Sequence, residues 1–192
     1  LVSAVAKMRT AGANEPAIEV FSHYYRAAAA GVTGMIPEDT ISPLTDPPQL
    51  SDAAVDEQTA REAIARTVII KLNGGLGTSM GLDQAKTLLP VREGLSFLDL
   101  IVKQITSARE AYSAPLPLLF MNSFRTRDDT LEHLAKYPDL PVAGLPVDFL
   151  QNAEPKITAD EFEPVEWPAD PTLEWCPPGH GDVYTALVGS GV

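Results

Sequence analysis

Three apolar, strand-like runs, TVIIKL (67–72), LPLLFMN (116–122) and VDFLQ (147–151), alternate with two helical stretches, SFLDLIVKQITSARE and RTRDDTLEHLAKY. No other feature of the chain constrains its fold as strongly. Strands too apolar to face water on either side, separated by helix-length segments, call for a parallel sheet covered on both faces, an α/β architecture. The first run is crowded with β-branched residues, and no charge interrupts it until Lys71. Ser96 stands where the helix after it needs a cap, and TLLPV (87–91) reads as a further short strand. Upstream, Ile18, Phe21, Tyr25 and the alanines 27–30 recur at steps of three and four, so Val2 to Ala30 reads as one amphipathic arm ended by Gly31. Residues 31–51 are rich in Pro, Thr, Ser and Asp, which predicts an extended connector packed on the surface, followed by a short helix over 56–66. The chain thus divides into an arm and connector (1–66) and an α/β body (67–192). Beyond Gln151 it is rich in Pro and acids until EWCPPGHGDVYTALVGSGV, a glycine turn entering a helix after which no further strand follows, so the architecture is expected to be incomplete.

Charge and composition remove several classes of function. With 14 basic against 26 acidic residues the net charge is −12, which repels nucleic acid and anionic membrane surfaces. One cysteine, Cys176, forms neither an internal disulfide nor a cysteine-rich metal site. No apolar run approaches the roughly 20 residues that span a bilayer, and a soluble, cytoplasmic protein is expected.

The stretch VIIKLNGGLGTSMGLDQAK (68–86) passes from strand into Gly74, Gly75, Gly77 and Gly81 and ends in Lys86. In an α/β sheet, a loop after a strand lies at the carboxyl edge, where ligands bind. Glycines there let a flat or anionic ligand reach the main-chain amides, since no Cβ intervenes. Two phosphate motifs fail on spacing. The ATPase phosphate loop needs Lys directly after its last glycine, whereas Leu82 follows Gly81; the dinucleotide fingerprint G-x-G-x-x-G finds one residue too many between Gly77 and Gly81.

KLNGGLGTSMG, then Lys86 in AKTLLPV, then FLDLIVKQI, resembles the UTP–glucose-1-phosphate uridylyltransferases (UDP-glucose pyrophosphorylases) of the eukaryotic type. LLFMNSFRTRDDT (118–130), FLQNAEPKI (149–157) and EWCPPGHGDVY (174–184) continue the resemblance in order, over roughly residues 67–192 plus a helical arm. It implies a Rossmann-like, GT-A-like nucleotide-sugar transferase fold, with 67–192 as the front part of a nucleotide-binding catalytic domain. The activity implied is formation of UDP-glucose and pyrophosphate from UTP and glucose 1-phosphate with Mg²⁺. A pyrophosphorylase for another UDP-sugar, or a non-catalytic uridine-nucleotide-binding fragment, are the alternatives. The partners expected are the two substrates, and either a second copy of the chain or a further C-terminal part; in the family, the aspartate that binds Mg²⁺ lies after the PPGHGD helix, so no metal ligand is assigned here.

The resemblance further implies that Leu72, Asn73, Gly74 and Gly75 contact the uracil and ribose, and that Lys86 reaches the UTP phosphates as the catalytic cation. Gln151 pairs with the base, its amide offering a donor and an acceptor side by side. Gly179 also lies at the base and His180 at the sugar phosphate. Where many relatives have Gly-Pro before the lysine, this chain has Gln84 and Ala85. Asn122, Ser123 and Phe124 are expected to shape the site wall. Asp128 and Asp129 read as acids in a first helical turn, Asp182 as a helix cap, His23 and His133 as solvated, and Trp167 and Trp175 as packing under the acidic loop.

Overall fold

The computed structural model describes residues 1–77, 81 and 84–192; Thr78, Ser79, Met80, Leu82 and Asp83 of the glycine motif lie outside them. The N-terminal arm is not one helix but a hairpin of two, α1 (Val2–Thr10) and α2 (Glu15–Ala29). Gly12 turns the chain at φ +80°, Asn14 caps α2 by accepting the Ala17 N–H at 2.9 Å, and Pro16 sits in the first turn, where its missing N–H costs nothing. Met8, Ile18 and Phe21 close the hairpin over Trp175 and Ile157, so α1 and α2 pack on the C-terminal part of the chain. The connector carries two 3-10 turns, Glu38–Thr40 and Leu50–Asp52, and is not packed down as expected: Met35 and Leu50 are 80% and 91% exposed. Prolines 37, 43, 47 and 48 deny it the N–H groups that a helix or ladder would use.

After α3 (Glu57–Ala65), strand β1 (Ile69–Asn73) enters the body. The TLLPV run divides into a 3-10 turn, Lys86–Leu88, and β2 (Pro90–Arg92), which pairs antiparallel with β3 (Leu95–Ser96) in a hairpin apart from the main sheet. Then follow α4 (Phe97–Tyr112), β4 (Leu118–Asn122), α5 (Arg127–Leu134) and β5 (Asp148–Leu150). β6 (Glu154–Pro155) pairs with β7 (Trp175–Cys176), and α6 (Val183–Ser190) is the last helix, capped by Gly191. The main sheet is parallel, in the order β1-β4-β5, with Ile69 opposite Leu118 and Phe120 opposite Asp148.

Both faces are covered, as the alternation predicts. On one, Leu98 and Val102 of α4 and Leu134 of α5 pack against Leu118 and Phe120; on the other, Ala186 of α6 meets Leu119, Met121 and Phe149. Ser96 caps α4 in a full capping box: its Oγ accepts the Asp99 N–H, and Asp99 Oδ2 accepts the Ser96 N–H at 2.7 Å. No helix among the described residues is long and apolar enough to cross a membrane.

Candidate functional site

Each strand of the sheet runs out in an amide: Asn73 is the last residue of β1, Asn122 the last of β4, and Gln151 and Asn152 follow β5. Asn73 and Asn122 stand opposite each other in the ladder and join below the loops. Asn73 Nδ2 donates to Asn122 Oδ1 (2.8 Å) and to Thr130 Oγ1 (2.9 Å), and its Oδ1 accepts from Thr87 Oγ1 at 2.6 Å. Asn122 Nδ2 donates to Asp148 at 3.2 Å, which also receives Arg127 Nε at 2.7 Å. Thr126 reaches back to the Asn73 carbonyl at 2.7 Å. Asn73, Asn122, Thr126, Thr130 and Asp148 are buried and mutually satisfied, with Thr87 and Arg127 at the edge, so the network is a rigid floor rather than a set of ligands. The Asn73 side chain is spent on this floor and that of Leu72 on the core under α6, which leaves the main chain as what these two residues present to a ligand.

Three of the residues expected at the base come together above the floor. Gln151, 6% exposed, donates its Nε2 to the Gly179 carbonyl at 2.9 Å, while its Oε1 lies 2.1 Å from where a Cβ on Gly74 would be. Gly74 is therefore glycine because Gln151 occupies the space of a side chain. Gly179 has φ +108°, a conformation open to glycine and strained for other residues. Gly75 is exposed, and a Cβ there would meet nothing within 4 Å.

Lys86 is exposed and bound to the same loop through the main chain: its N–H donates to the Gly75 carbonyl at 3.1 Å, the Gly77 N–H donates to Gln84 at 3.2 Å, and Leu76 bridges Ala85. Ala85, on the other side of this bridge, is fully buried. His180 is exposed at the start of the 3-10 turn His180–Asp182, directly after Gly179.

Several groups depart from the sequence reading. Asp182 precedes α6 but does not cap it; Oδ2 accepts the Asn152 main-chain N–H and Oδ1 its side-chain Nδ2, both at 2.7 Å. His133 is not solvated. Its Nε2 lies 2.7 Å from Asp99 Oδ1, which also receives the Tyr137 hydroxyl at 2.6 Å. Burial works against the Asp99 carboxylate, yet the hydrogen bonds from Tyr137, Ser96 and His133 outweigh it and hold the acid well below its usual range. Burial, then the neighbouring Asp99, pushes the Tyr137 hydroxyl up to about 12. Trp167 is 53% exposed, whereas Trp175 packs with the hairpin and has Lys7 Nζ 5.8 Å from its ring centroid. Asp128 and Asp129 lie in the first turn of α5 as expected. Glu154 in β6 is pushed up to about 7, by burial and then by the charge of Asp182.

A parallel sheet whose carboxyl edge holds a glycine loop, a buried amide and a loop-bound lysine has the layout of a nucleotide-binding α/β fold, and the solved structures it superposes on place it in the nucleotidyltransferase fold. The family model described as UTP--glucose-1-phosphate uridylyltransferase matches residues 18–192, and the chain belongs to that family. It is 39% identical over 161 residues to the UTP--glucose-1-phosphate uridylyltransferase of Solanum tuberosum, covering 82% of this chain and 31% of the relative. It is 40% identical over 134 residues to a probable one from Schizosaccharomyces pombe, 69% of this chain and 26% of the relative. A mutant UDP-glucose pyrophosphorylase from Leishmania major, crystallised with UDP-glucose, superposes with a TM-score of 0.89 at 43% identity, over 98% of this chain and 39% of that one. A Trypanosoma brucei UDP-glucose phosphorylase structure gives 0.86 at 41% identity, over 99% of this chain and 41% of that one. The chain thus spans between about a quarter and two-fifths of the length of these relatives.

Proposed function

We propose that this chain is the nucleotide-holding part of an enzyme that makes UDP-glucose and pyrophosphate from UTP and glucose 1-phosphate. The observation that carries the reading is the convergence of Gly74, Gln151 and Gly179 beside a loop tied to Lys86. Uracil lies over the bare main chain at Gly74 and Gly75, its imide edge read by the Gln151 amide, which exchanges its bond to Gly179 for bonds to the base. The phosphates then run toward Lys86, with His180 beside the sugar phosphate.

In the reaction, a phosphate oxygen of glucose 1-phosphate attacks the α-phosphorus of UTP in line. A new P–O bond forms, the bond to the bridging oxygen of the β-phosphate breaks, and that oxygen leaves with its electron pair as pyrophosphate. Positioning and charge neutralisation are what the protein contributes, and the compact ammonium of Lys86 suits the second. Magnesium is proposed as the accompanying cation. Among the described residues no three His, Cys, Asp or Glu side chains gather to hold a metal ion.

Calorimetry of UTP against this chain is the first test, and absence of binding overturns the reading. Pyrophosphate release with UTP, glucose 1-phosphate and Mg²⁺, measured on the chain and on a longer protein containing it, separates a nucleotide-holding module from a complete catalyst. The same assay with other sugar 1-phosphates tests the choice of glucose.

A further inference from the structure

We propose that Asp182 is a positioning residue for the base-reading edge: through Asn152 it locks the Gly179–Asp182 turn onto the end of β5, and Asn14 of the helical hairpin holds Asn152 from the opposite side. The proposal rests on the uridine-nucleotide reading above and adds to it how the edge is kept in place.

Two consecutive residues grip the two ends of one turn. Gln151 takes Gly179 with its side chain at 2.9 Å, and Asn152 takes Asp182 with both its main-chain and side-chain N–H groups at 2.7 Å. The first grip is neutral and is given up when Gln151 turns to a base. The second is charge-assisted, roughly twice as strong as a neutral hydrogen bond, and involves nothing that a nucleotide needs. It keeps Gly179 in register while Gln151 is engaged. Thr185 of α6 donates its hydroxyl to the same carboxylate, and Asp182 is 8% exposed, so the carboxylate side of the lock is shielded from water.

The third member comes from far away in sequence. Asn152 Oδ1 accepts from Asn14 Nδ2 at 2.9 Å, across 138 residues. Asn14 is held at its other end, where its Oδ1 caps α2, and its Nδ2 fills the space a Cβ on Gly189 of α6 would take, so α6 needs glycine there. Asn14, Asn152 and Asp182 thus form one relay from the hairpin turn to the turn that carries Gly179 and His180. Asn14, Gln151 and Asn152 also line a cavity of about 630 Å³ between the hairpin and β5, so the relay forms part of the wall beside the site.

The test uses the chain with UTP and CTP in calorimetry, together with amide hydrogen exchange of the ligand-free chain. Asp182→Asn keeps the size but sets an N–H₂ group against one donor of Asn152. It is expected to weaken UTP binding about tenfold, to narrow the preference for UTP over CTP, and to speed exchange at the Asn152 amide more than at Gln151. The exchanged pair Asn152→Asp/Asp182→Asn reverses donor and acceptor, retains all three relay bonds, and is expected to restore both binding and exchange. Asn14→Asp keeps the cap but faces an oxygen to Asn152 Oδ1, and should reproduce a weaker form of the Asp182→Asn behaviour. Unchanged affinity and exchange in Asp182→Asn overturn the proposal. So does a loss that the exchanged pair leaves in place, for that loss would belong to folding in general. If the unaltered chain binds no UTP, the nucleotide reading falls, while the exchange rates still decide whether the relay holds the turn.

Discussion

Gly74→Ala separates a loop that needs glycine for its backbone from one that needs it for a neighbour. Gly74 is not among the residues with positive φ, so alanine meets no backbone strain there. What it meets is the Gln151 carbonyl oxygen at 2.1 Å, the far end of a flexible side chain that can rotate away. Rotation breaks the bond from Gln151 to Gly179, a loss of about 1 kcal/mol, partly offset by the roughly 0.4–1 kcal/mol that replacing glycine returns through the unfolded chain. Stability measured by urea unfolding should therefore change by less than about 1 kcal/mol. Binding should suffer far more. With Gln151 displaced, two hydrogen bonds to uracil are lost, about 2 kcal/mol, or roughly thirtyfold in Kd by calorimetry, and the preference for UTP over CTP falls with it. A variant that binds UTP as tightly as the unaltered chain would show that Gln151 does not read the base. So would one destabilised by more than about 3 kcal/mol, since Gln151 would then be a packed wall and not a mobile reader.

Gly75→Ala meets open space and no strain, so the free chain should gain about 0.4–1 kcal/mol in unfolding stability while UTP affinity falls; equal or better affinity would mean that nothing docks on this main chain. Lys86→Ala, made in whichever protein containing this chain releases pyrophosphate, should lower turnover much more than UTP affinity, and equal losses in steady-state rate and calorimetric Kd would remove the proposed transition-state role. Glu154→Gln tests the proton linkage. The folded chain holds the Glu154 proton up to about 7, above the ordinary 4.5, so native stability is full below 4.5 and declines as pH rises through 7. The variant lacks that decline. Its advantage in urea unfolding should grow by about 1–2 kcal/mol between pH 5 and pH 8, with allowance for partial exposure, and a constant difference would show that the carboxyl ionises normally.

The sheet was legible because its signal is local. β1, β4 and β5 are bounded by their own apolar runs, and the cap of α4 by Ser96 and Asp99 three residues apart. The glycine loop, Lys86, Gln151 and Gly179 could be picked out from motifs. The floor beneath them is visible only in retrospect, as Asn73 and Asn122 closing neighbouring strands. The hairpin break was written in Gly12, Asn14 and Pro16, but the helical residues on both sides masked it. His133 and Asp99 are 34 residues apart, and Asn152 and Asp182 are 30 apart; packing alone brings these pairs together, and no spacing rule along the chain announces them. The same holds for the exposed connector, whose composition predicts irregular backbone but not whether its apolar residues find cover.

The decisive measurement is a crystal structure of the chain with UTP bound. Uracil is expected on the main chain of Gly74 and Gly75, within hydrogen-bonding distance, about 3 Å, of the Gln151 amide, with phosphate oxygens facing the Lys86 ammonium. UTP seated elsewhere, or bound with the Lys86 side chain directed into bulk water, would contradict that placement.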